Sequence, residues 1–192
     1  MADGVKFPLI SGQISLDLVN TNVVRHGTRH DLLVNPGHVI AWFHTLTKEN
    51  ILMKEQFSEV IEDWAEEALP ALREVRSFLR EFFEKMADGK ELPSNWSTHL
   101  ELLIRQAPFS FQLLDDQLIP VPIGKPADAI VSLIAFDTLK LFTSGQLSHI
   151  RRCANPDCVL LFIDTRGRRK WCSMKICGNR EKVTRHQQRK KA

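Results

Sequence analysis

The sequence has no cysteine in its first 152 residues and no long apolar run. A membrane-spanning helix needs roughly 20 predominantly apolar residues, and no stretch approaches that length. The start, MADGVKFPLISGQ, also lacks the basic segment and the following apolar segment of a secretion signal. We therefore expect a cytoplasmic protein that does not enter a membrane.

Common catalytic motifs are absent as well. There is no glycine-rich phosphate loop, no HExxH pair and no GxSxG motif. The acids of the middle region fit the exposed sides of helices, and they are Glu66, Glu67, Glu74, Glu81 and Glu84. We therefore predict that the protein is not an enzyme.

All four cysteines lie in the last fifth of the chain, in two pairs of equal spacing. Cys153 and Cys158 enclose four residues, as do Cys172 and Cys177, and thirteen residues separate the pairs. In a reducing compartment such thiols are available as ligands, and four thiolates are the usual donors of a structural zinc site. The spacing predicts one Zn²⁺ per chain. Unliganded core cysteines, a redox pair and an iron–sulfur cluster are the alternatives.

Charge is divided unequally along the chain. Residues 151–192 hold 13 lysines and arginines against three acids, a net charge of +10. Residues 1–150 hold 13 against 20, a net charge of −7. An acidic body with a basic C-terminal segment favours a polyanionic partner at that end.

Two basic clusters lie in this segment, one on a predicted turn between the cysteine pairs and one on a predicted helix over residues 178–190. The candidate nucleic-acid-binding residues are Arg166, Arg168, Arg169, Lys170, Arg180, Lys182, Arg185, His186, Arg189 and Lys190. They predict phosphate contacts with DNA, and RNA or a protein partner is the alternative. Arg180 either contacts nucleic acid or braces the zinc site. Trp171, beside a cysteine, is expected to pack under the metal.

Composition and periodicity predict a mainly α-helical domain over residues 1–147 and a metal module over residues 148–192. The helices are expected over about 13–24, 37–47, 57–69, 70–87, 96–106 and 126–142, and a strand is the alternative for residues 13–24. Pro70 is expected to begin a new helix, and residues 25–37 are expected to form a loop. Strands over 109–114 and 117–121 form a predicted β-hairpin. In the metal module, residues 159–164 and 170–172 are expected to pair before the final helix.

Polar residues near the start form a candidate ligand site. Asp17 and Asn20 are three residues apart, so a helix would place them on one side, with Thr21 and Arg25 close by. Helix capping and loop hydrogen bonds explain the same residue types. We leave two roles open for this domain. One is binding of a small-molecule effector, and the other is formation of a homodimer.

The stretches RRCANPDC and FIDTRGRRKWCSMKICGNR resemble the CGNR zinc finger, named for the residues at 177–180. Upstream, SLDLVNT and DLLVNP, with Trp42 later, are similar to the start of the ABATE domain that usually precedes this finger. The resemblance implies a bacterial, stress-responsive transcriptional regulator with a helical N-terminal domain and a DNA-binding zinc finger. Since family does not fix function, DNA binding has to be argued from the site.

Overall fold

The computed structural model describes residues 5–183, and these residues are mainly helical. The α-helices are α1 Ile14–Val19, α2 Pro36–Lys48, α3 Ile61–Ala87, α4 Trp96–Gln106 and α5 Pro126–Thr143. The antiparallel hairpins are β1 Asn22–Arg25 with β2 Thr28–Asp31, β3 Phe109–Leu114 with β4 Gln117–Pro122, and β5 Ile150–Arg152 with β6 Leu161–Ile163. Short helical turns are Lys54–Gln56, Gln146–His149 and Met174–Gly178. The predicted fold class is confirmed. None of these helices could cross a membrane.

Helix α5 is the central buried helix, as its apolar sequence predicts. Residues 129–135 are all buried, so every side of the helix faces protein over two turns. The hydroxyl of Ser132, the polar residue in this run, donates to the carbonyl of Ala107 at 2.7 Å. Gly145, in the left-handed region at φ 74°, follows the helix end.

Helix α3 is continuous across Pro70, so the prediction of two helices is wrong. A proline inside a helix costs about 3 kcal/mol because it removes one hydrogen bond and crowds the preceding turn. The buried stripe continues on both sides of Pro70, through Ala68 and then Leu72 and Val75. Burying each large apolar side chain contributes about 1.5–3 kcal/mol, and this outweighs the local cost.

The prediction of a helix to residue 24 and a loop after it is also wrong. Helix α1 ends at Val19, and the β1–β2 hairpin follows. Its two-residue turn consists of His26 and Gly27, both at positive φ (51° and 78°), which matches the twist that a tight hairpin requires. Val23 of β1 is buried in the small core around the cysteines, away from the main core.

The hairpin of the cysteine module uses a different strand from the predicted one. Strand β6 pairs with β5, which precedes Cys153, and residues 170–172 form no strand. Residues 170–172 instead bond to the segment around Cys153: the amide of Ala154 donates to the carbonyl of Lys170 at 2.9 Å, and the amide of Cys172 donates to Cys153 Sγ at 3.3 Å. Ile150 of β5 is fully buried in the main core. This tertiary contact favours β5, rather than residues 170–172, as the strand that pairs with β6.

Candidate metal centre and nucleic-acid surface

The four predicted ligands come together in one cluster. The Sγ atoms of Cys153, Cys158, Cys172 and Cys177 all lie within 4.8 Å of one another. A tetrahedral zinc ion with Zn–S bonds near 2.3 Å places its sulfurs about 3.8 Å apart. The Sγ atoms of Cys158 and Cys172 are 3.8 Å apart. The cluster can hold one metal ion, consistent with one Zn²⁺ per chain.

Backbone and side-chain N–H groups donate to these sulfurs. The amide of Cys172 donates to Cys153 Sγ at 3.3 Å, and Asn155 Nδ2 donates to Cys177 Sγ at 3.7 Å. Such donors stabilise a thiolate and orient it toward a metal. Asn155 Oδ1 also accepts from the amide of Asp157 at 3.0 Å, so this residue both shapes the loop and contacts a ligand. In the sequence, Asn155 is marked only by its residue type, which is common in turns.

Because the thiols lie close together, their pKa values shift in opposite directions. Hydrogen bonds from Cys158 and Cys172 lower the pKa of Cys153, whereas interaction with Cys153 raises the pKa of both Cys158 and Cys172. Ionising several of these thiols together therefore requires a cation among them. A divalent ion supplies that charge, and thiols that coordinate it are deprotonated. The donor set thus fits a closed zinc site.

Asp164 orders the turn that carries the first basic cluster. Its carboxylate accepts from the amides of Arg169 at 2.8 Å and Arg166 at 3.2 Å, and these bonds lower the pKa of Asp164. Gly167, at φ 65°, provides the left-handed backbone that the turn needs. The turn therefore has a defined shape, with Arg166 and Arg168 exposed on it.

Arg169 differs from its basic neighbours because its guanidinium binds within the module. The guanidinium lies 4.5 Å from the centre of the Phe162 ring. Its Nε donates to the carbonyl of Trp171 at 3.0 Å, and its Nη2 donates to the carbonyl of Cys172. These contacts tie the basic turn to the segment that carries a ligand. Nucleic-acid binding by Arg169 stays a prediction, and the contacts themselves brace the metal site.

The other described residues of the two basic clusters are exposed. They are Arg166, Arg168, Lys170, Arg180 and Lys182. Lys175, in the turn that carries Cys177, is exposed as well, and only its charge could have marked it in the sequence. The predicted residues Arg185, His186, Arg189 and Lys190 lie outside the described residues.

The Met174–Gly178 turn leads directly into a helix. Asn179 has helical angles (φ −71°, ψ −36°), so the chain continues from the turn into the helix at this residue. A Cβ at Gly178 would lie 2.5 Å from Met174 Sδ and 3.4 Å from Trp171 Cδ1, so a side chain there would require the flexible, exposed Met174 side chain to move. Trp171 packs against the buried core around the cysteines, as predicted.

Asn20 binds the cysteine module to the helical domain. Its Nδ2 donates to the carbonyl of Leu161, and its Oδ1 accepts from the amide of Leu161, both at 2.9 Å. The fully buried side-chain amide therefore pairs with β6 as a neighbouring strand would. Leu161 also belongs to the main core, so the module packs on the helical domain over a continuous apolar contact.

A polar stripe on helix α3 contributes to the same contact. Its members are spaced four residues apart and so share one face, and they are Arg76, Arg80, Glu84 and Asp88. Arg80 donates to the carbonyl of Val159 in the module at 2.6 Å and to the carbonyl of Val19 in α1 at 2.5 Å. One guanidinium thus holds the module, α1 and α3 together.

The two ends of the polar stripe bind charged partners. Arg76 donates to both carboxylate oxygens of Asp31 in β2, each at 2.6 Å. Although partial burial raises the pKa of Asp31, these hydrogen bonds lower it below its usual range. At the other end, Arg152 of β5 lies 2.6 Å from Asp88 and 3.4 Å from Glu84. Sequence reasoning missed this stripe, although its four-residue spacing of polar groups was visible.

The residues of the predicted ligand site mostly bond within the protein. Asp17 accepts from the amides of three loop residues, 10–12, at 3.0–3.1 Å, and burial raises its pKa to about 6. Thr21 Oγ1 accepts from Arg76 at 2.8 Å and donates to a backbone carbonyl. Asn20 binds β6, as described, and Arg25 is exposed at the end of β1. A ligand role for these residues stays a prediction.

A cluster of four thiols held between a β-hairpin and a helical turn defines a zinc-finger protein, and residues 149–190 match the CGNR zinc finger. Residues 12–145 match ABATE, described as a putative stress-induced transcription regulator. Because the second match covers more than half of the chain, the protein belongs to the ABATE family. Both families, and their order, were predicted from the sequence. A comparison with curated proteins found no match.

Proposed function

We propose that the protein is a zinc-dependent transcriptional regulator that binds DNA through its cysteine module. The observation that carries the proposal is the concentration of positive charge, +10 over residues 151–192, on a module built around a metal site. A basic surface of this kind attracts phosphates, and a nucleic acid is the partner that presents them in a regular array.

The two basic segments are positioned by the same metal site. The Arg166–Arg168 turn is tied through Arg169 to the backbone at Cys172. The helix that carries Arg180 and Lys182 continues directly from the turn that contains Cys177. Zinc bound to both cysteines would therefore fix the angle between the turn and the helix. This supports phosphate contacts by both segments, and the four candidates beyond residue 183 would extend the second one.

We assign DNA binding to residues 148–192 and reception of a signal to residues 1–147. The regulator-type family of residues 12–145 supports a stress-responsive role in the bacterial cytoplasm, without catalysis. A homodimer would place two modules on two half-sites of an operator. Sedimentation of the zinc-loaded protein tests this, since a monomer at working concentration would contradict the dimer.

Competition between polyanions tests the proposal. A random pool of DNA duplexes is selected for binding to zinc-loaded protein, and the enriched duplex then competes against structured RNA and against heparin. We expect the enriched duplex to outcompete both and to lose binding after chelation of zinc. Preference for the RNA would support the alternative function, an RNA-binding module. Equal displacement by heparin, or binding without zinc, would overturn the proposed regulator.

A further inference from the structure

Helices α3 and α4 enclose a cleft of about 330 Å³ that lies away from the cysteine module. Its size is at the lower end of the range for small-molecule sites, which is about 300–1,000 Å³. Aromatic side chains form its floor, and they are Phe78 and Phe82 from α3 with Trp96 and His99 from α4. Neither the family match nor the sequence patterns assign a ligand to this cleft.

Phe78, Trp96 and His99 are half-buried beside the cleft, whereas Phe82 is 4% exposed and packs against Phe78 and Trp96. Phe78 and His99 have ring centres 4.5 Å apart, and Phe82 and Trp96 have ring centres 4.9 Å apart. The Phe78 and Phe82 rings are nearly parallel, with an angle of 14° between their planes. Aromatic groups prefer offset-stacked or edge-to-face contacts, so this floor favours a planar ring over a flexible chain.

A charged pair lies at the edge of the cleft. Lys85 Nζ binds Glu81 Oε1 at 2.7 Å, and the lysine side chain is half as exposed as the glutamate (36% against 71%). The ammonium is therefore the better-anchored partner, and it already holds a carboxylate at this position. A ligand carboxylate could bind this ammonium if the exposed Glu81 side chain turns into solvent, which removes the repulsion between the two carboxylates.

We propose that this cleft binds a planar aromatic carboxylate of one or two rings, with the ring on the aromatic floor and the carboxylate on Lys85. The same turns of α3 also hold the module, since Arg80 and Glu84 belong to the polar stripe. Ligand binding should therefore stiffen the contact with the module. That this makes the ligand an effector of transcription rests on the proposed function.

Calorimetry with 2-naphthoate and the zinc-loaded full chain tests the site. Saturable binding is expected at one site, at least tenfold tighter than binding of the fully saturated ring analogue or of 2-naphthylmethylammonium. Lys85→Gln should weaken naphthoate binding at least tenfold, and Phe78→Leu severalfold. Lys48→Gln, which removes an exposed lysine from another depression, should leave it unchanged. Circular dichroism confirms that each variant is folded, and Lys85→Gln alters only a surface side chain.

Hydrogen exchange on the same samples tests the coupling without DNA. The amide of Leu161, which binds Asn20, should exchange severalfold more slowly when naphthoate is saturating. No saturable binding, a preference for the ammonium compound, or an unchanged affinity of Lys85→Gln would overturn the site. Unchanged exchange at Leu161 would overturn the coupling. Because neither measurement uses DNA, failure of the proposed DNA binding would leave both results interpretable.

Discussion

The side chain of Asn20 determines how strand β6 lies on the helical domain. It is fully buried, and both of its polar atoms bind the backbone of Leu161. Neither aspartate nor leucine could make the same pair of bonds, because one lacks the donor and the other lacks both groups. Asn20 therefore lies at the interface between the helical domain and the cysteine module. The sequence around Asn20 does not indicate that Leu161 is its partner.

Replacing Asn20 with alanine should destabilise the protein by about 2–4 kcal/mol, since the amide and carbonyl of Leu161 would stay buried without partners. Urea unfolding of the zinc-loaded protein measures the change. Gln112→Ala, on an exposed strand position, should change the free energy of unfolding by less than about 0.5 kcal/mol. A similarly small effect for Asn20→Ala would contradict the role given to this residue.

Asp17 should make stability depend on pH with an unusual sign. Burial raises the pKa of Asp17 from 3.8 to about 6, against the opposing effect of three backbone donors. Since the folded pKa lies above the unfolded one, its contribution is complete below about pH 4. It is lost as pH rises through 6, and amounts to about 3 kcal/mol.

Carboxyl ¹³C NMR of the folded protein measures this titration directly, and Asp17→Asn identifies the resonance. We expect a midpoint near 6, and a stability difference between the variant and the natural chain that changes between pH 4 and 7. The comparison at each pH cancels the shared effect of acid on the zinc thiolates. A midpoint near 3.8 would contradict this account, because it would show that the hydrogen bonds fully offset the effect of burial.

At the scale of elements, helix α3 connects the main parts of the molecule. One face belongs to the main core, the polar stripe holds β2, α1 and the cysteine module, and a third face lines the aromatic cleft. The polar stripe and the cleft lie after Pro70, whereas Trp64 and Ala68 of the main core lie before it, so continuity across Pro70 joins this first part of the core contact to the rest of the helix. Local sequence rules predict a break there because they omit the tertiary packing on both sides.

Pro70→Ala should stabilise the protein by about 1–3 kcal/mol, because alanine restores a helix hydrogen bond and Pro70 is exposed. The urea midpoint of the zinc-loaded variant measures the gain. Pro93→Ala, in the loop before α4, is the matched control and should give no gain, since no helix bond is restored there. A loss of stability in Pro70→Ala would show instead that a bend at this position supports the packing.

The β1–β2 hairpin depends on the metal centre. Val23 and Leu32 lie in the small core together with Phe162 and three of the cysteines. Chelation of zinc should therefore speed hydrogen exchange in β1–β2 as well as in β5–β6, while α5 stays protected. Chelator already saturated with zinc is the control. Unchanged exchange in β1–β2, or loss of protection in α5, would contradict this link.

The elements that the sequence predicted correctly are those with a strong local signal. Helix α5 and the β3–β4 hairpin follow from apolar runs and turn residues, and the metal cluster follows from cysteine spacing. The wrong predictions concern segments whose structure is decided by distant contacts, such as β5, where the buried Ile150 selects the pairing. The salt bridges of the polar stripe could not be predicted, because the sequence does not show which helix faces which strand.

At the scale of the whole molecule, the charge asymmetry has a structural counterpart. Glu84 and Asp88 of the acidic body form salt bridges with Arg152 of the basic module. Some of the positive charge of the module is therefore paired within the protein. The cations Arg166, Arg168 and Lys182 are exposed on the turn and the final helix. The cysteines are thus the scaffold of the proposed binding surface, and the arginines and lysines are the surface itself.

The most direct test of this account measures the affinity of the zinc-loaded protein for a short DNA duplex over a range of salt concentrations. The logarithm of the association constant should fall linearly with the logarithm of salt, by about 0.9 per phosphate contact. An Arg166→Gln/Arg168→Gln variant should reduce this slope by about 2, whereas Lys48→Gln/Arg105→Gln, which removes equal charge from the body, should not. A salt-independent affinity, or equal slopes for all three proteins, would contradict DNA binding through the cysteine module.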